Sequence, residues 1–105
     1  FLLGQGATLD DLHALPWEGV DTLYKAFKRT LERIPDSELL GSRVDDHYEW
    51  MTVKETYTCA EHFSYGCMAL DLIPQIQAEG KTWRFMGIQS KNRREWYLTM
   101  LAGMF

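Results

Sequence analysis

The sequence predicts an α/β fold, incomplete on its own, in the order helix, β-hairpin, helix, strand, helix. Three observations carry this reading. Apolar residues recur at helical spacing over Leu23 to Ile34 and again over Val53 to Leu70. Two short strand-like runs flank an acidic turn at Asp45-Asp46. A short apolar run at Phe85, Met86 and Ile88 leads into a stretch with helix-start chemistry.

Residues 1–18 contain glycine early and Pro16 late, and read as an extended approach segment with at most a helical turn around Leu9 to Leu15. The fold proper spans 19–105. Asp21 is the expected cap of the first helix, whose apolar face is Leu23, Phe27, Leu31 and Ile34 and which Pro35 ends. Lys25, Lys28, Arg29, Glu32 and Arg33 take the other face, as on an amphipathic surface helix. Leu39 to Arg43 and Tyr48 to Met51 form the hairpin, with Val44 to His47 between them. Thr52 caps the next helix and Glu55, three residues on, completes a capping box. Val53, Tyr57, Ala60, Phe63, Cys67 and Leu70 mark one face of this helix, the longest, which is expected to run until Pro74.

Gln75 to Thr82, with Gly80, reads as a polar connector. Arg84 to Ser90 reads as a buried strand of a parallel sheet, because alternation vanishes when both faces are covered, and Gly87 permits close backbone approach. Asn92 is the expected N-cap of the last helix, with Glu95 completing a second capping box. Trp96, Tyr97, Leu98, Met100, Leu101, Ala102, Met104 and Phe105 surround its axis, which predicts burial on all sides. That helix is still running at Phe105 and its strand has no parallel partner, so the chain reads as part of something larger. Phe1 in place of Met, with neither a basic region nor a cleavage pattern after it, points the same way.

Hydrophobic content of 46% with 13% aromatics is that of a globular chain. A net charge of −4 with scattered cations argues against a nucleic-acid binder, which needs concentrated basic surface. No apolar run reaches the ~20 residues of a membrane-spanning helix. Cys59 and Cys67 share one predicted helix, about 12 Å apart along its axis at 1.5 Å per residue, too far to bridge. Free thiols imply an intracellular address.

Candidate chemistry is sparse. Cys59, His62 and Cys67 offer thiolate and imidazole donors, but their spacing fits no zinc pattern and no fourth ligand follows, so packing of buried thiols beside a partly exposed histidine is favoured. As a nucleophile and base they lack a third group to orient the histidine. His13 and His47 fall in loops without identifiable partners. Asp45 and Asp46 could hold a cation, but a solvated turn is the favoured reading. Arg93 and Arg94 at a helix start could hold a phosphate, against a structural role in which Glu95 offsets two cations at the positive end of the dipole. Gly4-Gln5-Gly6 lacks the third glycine and flanking elements of a dinucleotide site.

Several stretches together resemble the N-terminal part of eukaryotic long-chain fatty acyl-CoA synthetases, members of the adenylate-forming, AMP-binding superfamily. They are Trp17-Glu18-Gly19-Val20-Asp21-Thr22-Leu23-Tyr24-Lys25-Ala26-Phe27, Leu40-Gly41-Ser42-Arg43, Tyr48-Glu49-Trp50-Met51-Thr52-Val53-Lys54-Glu55 and Gly87-Ile88-Gln89-Ser90-Lys91-Asn92-Arg93-Arg94-Glu95-Trp96. The resemblance covers the chain from about Trp17 onward. It implies that 19–105 is the opening portion of the large N-terminal domain of such an enzyme. It also implies a parent that joins ATP and a fatty acid, with Mg²⁺, to give acyl-adenylate and pyrophosphate, and then lets coenzyme A displace AMP. The family's phosphate loop, adenine and ribose contacts, hinge and catalytic lysine lie beyond the stretch covered. No catalytic, cofactor-binding or metal residue is therefore assigned, and this segment is expected to be scaffold that binds none of these cofactors. Its expected partner is the rest of the parent enzyme. The family also suggests association with the endoplasmic reticulum, peroxisome or mitochondrial outer membrane. A non-catalytic interaction module or structural subunit derived from such an enzyme is the alternative.

Overall fold

The computed structural model describes residues 17–105; the expected turn at Leu9 to Leu15, Gly4-Gln5-Gly6 and His13 lie outside them. The described elements are α1 (Leu23–Arg33), β1 (Glu38–Val44), β2 (His47–Thr52), α2 (Val53–Ala69), β3 (Ile76–Ala78), β4 (Lys81–Trp83) and α3 (Arg94–Ala102). Trp17 and Glu18 belong to a turn, closed by a bond from the Val20 amide to the Trp17 carbonyl, with Gly19 at a φ of 75°. The Trp17 ring lies against the Arg29 guanidinium at 5.1 Å.

Helix α1 begins one residue later than its acidic cap suggested. Thr22 is the N-cap, its hydroxyl accepting from the Lys25 amide, while the carboxylate of Asp21 is drawn instead to Lys25 Nζ at 2.7 Å. Strands β1 and β2 pair antiparallel, with a bulge at Leu39 and a two-residue turn whose first member, Asp45, sits at a φ of 53°. Aspartate tolerates this left-handed conformation better than most residues. The hairpin hands its chain straight to α2. Thr52 and Glu55 form the expected capping box, and the Val53 and Lys54 amides donate to Ser37 and Pro35 carbonyls, so the first donors of α2 are all engaged.

Helix α2 stops at Ala69, well before Pro74. The amides of Asp71 and Leu72 donate back to Met68 and Cys67 carbonyls, with Asp71 at a φ of 49° in the position glycine usually takes. Its buried stripe is Val53, Thr56, Ala60 and Cys67, whereas Phe63 and Leu70 are exposed. The expected polar connector is a second antiparallel hairpin, β3–β4, turned by Glu79 and Gly80 at φ values of 54° and 70°. Two successive positive angles match the right-handed strand twist. The Trp83 indole donates to the Ala78 carbonyl across it.

Residues 84–93 form no strand. Both sheets of the described residues are two-stranded hairpins, so the run at 85–88 has no ladder to join. Phe85 is exposed and instead stacks on Trp83, with ring centroids 5.8 Å apart. Helix α3 begins at Arg94 with Arg93, not Asn92, as its N-cap, and no side chain caps it. It ends at Ala102 with Gly103 as C-cap, so Phe105 lies beyond it. Nor is it buried all round: Leu101 and Ala102 are covered, and Trp96 is exposed.

The core joins α2 to α3 through Ala60, Leu101 and Ala102, with Phe27, Tyr97 and Met104 packed around them. The ring of Tyr57 ties the helices together, stacked on Phe27 and tilted 5.1 Å from Phe105, which meets Tyr24 edge-on.

Candidate functional site

Two of the stretches that carry the resemblance, Leu40-Gly41-Ser42-Arg43 and the part of the last one at Asn92-Arg93-Arg94-Glu95-Trp96, come together in space. Gly41, Ser42 and Arg43 from β1 and Asn92 to Glu95 from the start of α3 line one polar cleft of about 380 Å³, and Leu40, Trp96 and Tyr97 extend it. Gly41 makes a close approach here, since a Cβ would come 2.8 Å from the outer edge of the Trp50 ring. Nothing in the spacing of the chain groups Arg43 with Arg93 and Arg94. Only the packing of the hairpin on α3 does so.

The cations of this cleft are already engaged. Arg93 meets the Glu95 carboxylate with Nε and Nη2, each at 3.2 Å, and Arg94 Nε approaches it at 3.8 Å. Arg43 Nε donates to the Asp45 carbonyl. Glu95's own backbone amide chiefly holds its carboxyl below the ordinary 4.5; desolvation opposes this, and Arg93 and then Arg94 add to the lowering. Glu95 does not complete a box with Asn92, because the two arginines and its own amide claim it.

The other candidates are not brought together. Cys59 and His62 are exposed on α2 and Cys67 is buried, so one of the two expected buried thiols is in solvent. Among the described residues no group of three His, Cys, Asp or Glu side chains could hold a metal ion. His47 Nδ1 lies 3.5 Å from Asp46 and Nε2 3.9 Å from Glu49, all three exposed on the hairpin. No described helix is long and apolar enough to cross a membrane.

A feature the sequence did not announce is an open apolar groove of about 660 Å³ between the C-terminal half of α2, residues 84–88 and the end of α3. Met68, Phe85, Met86, Met100 and Met104 line it. Its signal was present in the surplus of apolar residues around α3.

No family model matches the chain, and no solved structure matches it. Among curated proteins, the chain is 34% identical over 85 residues to long-chain-fatty-acid–CoA ligase 1 of Homo sapiens, a match covering 78% of this chain and 11% of that protein. It is 31% identical over 83 residues to long-chain-fatty-acid–CoA ligase 1 of Cavia porcellus, again 78% of this chain and 11% of the relative. The chain therefore spans about a tenth of the length of the curated relatives it matches. It is a small α/β unit distantly similar to one part of these ligases.

Proposed function

We propose that this chain is scaffold from the N-terminal part of a long-chain fatty acid–CoA ligase. In this reading residues 19–105 open the AMP-binding domain and residues 1–18 lead into it. The whole parent activates a fatty acid with ATP to an acyl-adenylate and then transfers the acyl group to coenzyme A. The observation that carries the reading is the partial identity to two ligases over most of this chain. The meeting of its two distinctive stretches in one cleft gives that likeness a physical basis, since it supplies a packing reason for both.

The role assigned to the segment is structural. Arg93 and Arg94 are turned on Glu95, which does not favour a nucleotide phosphate there, so we assign ATP, Mg²⁺ and coenzyme A to other parts of the parent. The catalytic residues are assigned there as well. An intracellular site, with attachment to an organelle membrane, belongs to the same proposal.

The test is to sequence the transcript past the Phe105 codon and assay both products for fatty acid-dependent exchange of pyrophosphate into ATP. The reading expects an open frame that continues, activity in the longer product, and none in the 105-residue chain. A stop codon directly after Phe105, with a stably folded chain that captures a partner, would favour an interaction module or structural subunit instead. Turnover by the 105-residue chain would overturn the scaffold role.

A further inference from the structure

We draw no further inference here: the strongest candidate, the open apolar groove of about 660 Å³ between the C-terminal half of α2, residues 84–88 and the end of α3, carries nothing because nothing in the structure shows what covers it.

Discussion

Gly41 on β1 stands directly across from Trp50 on β2, and the Trp50 ring lies where a Cβ on Gly41 would be. Two effects oppose each other when that Cβ is added. Alanine in a strand is favoured over glycine by roughly 0.5–1 kcal/mol. The clash acts the other way, but it falls on the outer edge of a ring that is 48% exposed and free to swing outward. Gly41→Ala is therefore expected to change stability by less than about 1 kcal/mol while displacing the indole, read as a shift of the Trp50 side-chain resonance. Gly41→Val, with two more methyls at the same place, is expected to cost about 1–3 kcal/mol. A large loss for alanine with an unmoved indole resonance would mean that the ring is held by more than this hairpin.

The junction between β2 and α2 makes a second prediction. Thr52 Oγ1 accepts from the Glu55 amide at 3.2 Å, and the Thr52 amide donates to Glu55 Oε2 at 2.8 Å. Thr52→Ala is expected to lower the free energy of unfolding by about 1 kcal/mol, measured by urea denaturation. The box also has a pH signature. The Thr52 amide, then its hydroxyl, hold the Glu55 carboxyl below the ordinary 4.5. A depressed folded value makes the contribution complete above 4.5, and it is lost as pH falls through that lower value. Asp21, lowered chiefly by Lys25, and Glu95, lowered chiefly by its own amide, act in the same direction. Glu55→Gln keeps an acceptor for the Thr52 amide, so it is expected to flatten the acid limb of the stability curve while changing the neutral value less than Thr52→Ala does. An acid limb identical to the parent's would contradict the box.

The same junction shows what could be read from sequence and why. Thr52 and Glu55 were legible because both halves of the box are local and nothing nearby competes for them. The pair at Asn92 and Glu95 has the same spacing, yet Arg93 and Arg94 intervene with charges that outbid a neutral cap amide. Asp21 does not cap α1 for a related reason: its carboxylate is drawn to Lys25 while Thr22 caps. The early end of α2 was hidden because Asp71 adopts the left-handed turn without glycine. Strands β3 and β4, of three residues each, are too short for alternation to show, so the segment reads as a connector. The strand expected at 84–90 failed on pairing, since its apolar content is real but a ladder needs a neighbour that the described residues do not offer. The cleft was half legible: both of its stretches were visible, but their meeting depends on long-range packing.

Tyr57 gives a third prediction, on the alkaline side. Its hydroxyl donates to Glu61 Oε1 at 2.8 Å and receives a bond from Lys28 Nζ at 3.5 Å, while the ammonium lies 4.8 Å from its ring centroid. The Tyr24 hydroxyl first, then burial and the Glu61 carboxylate, push its pKa above the ordinary 10.0. A raised folded value means that the stabilisation is complete below pH 10.0 and is lost as pH rises through the higher value. Tyr57→Phe keeps the ring contacts with Phe27 and Phe105 but removes the hydrogen bonds, and is expected to cost about 1 kcal/mol. In an ultraviolet titration of the tyrosines, the component that ionises last should disappear. Loss of a component that ionises at the ordinary 10.0, with the last to ionise still present, would show that the network does not form in solution.

The exposed apolar side chains make the last prediction. Tyr65, Leu70, Leu72 and Phe85 are 64%, 71%, 62% and 64% exposed. Monomeric proteins rarely leave contiguous apolar patches of more than a few hundred Å² uncovered. The 105-residue chain alone is therefore expected to bind a hydrophobic dye and to self-associate as its concentration rises. Replacing Leu72 and Phe85 together with serine should weaken both effects. The same double substitution should leave the urea midpoint almost unchanged, because side chains this exposed bury little area on folding and so contribute little of the ~25 cal/mol per Å² that burial supplies. The two readouts separate the possible outcomes. Less dye binding at constant stability is the expected result, whereas a fall of several kcal/mol would mean that these side chains are covered within the isolated chain and belong to its core.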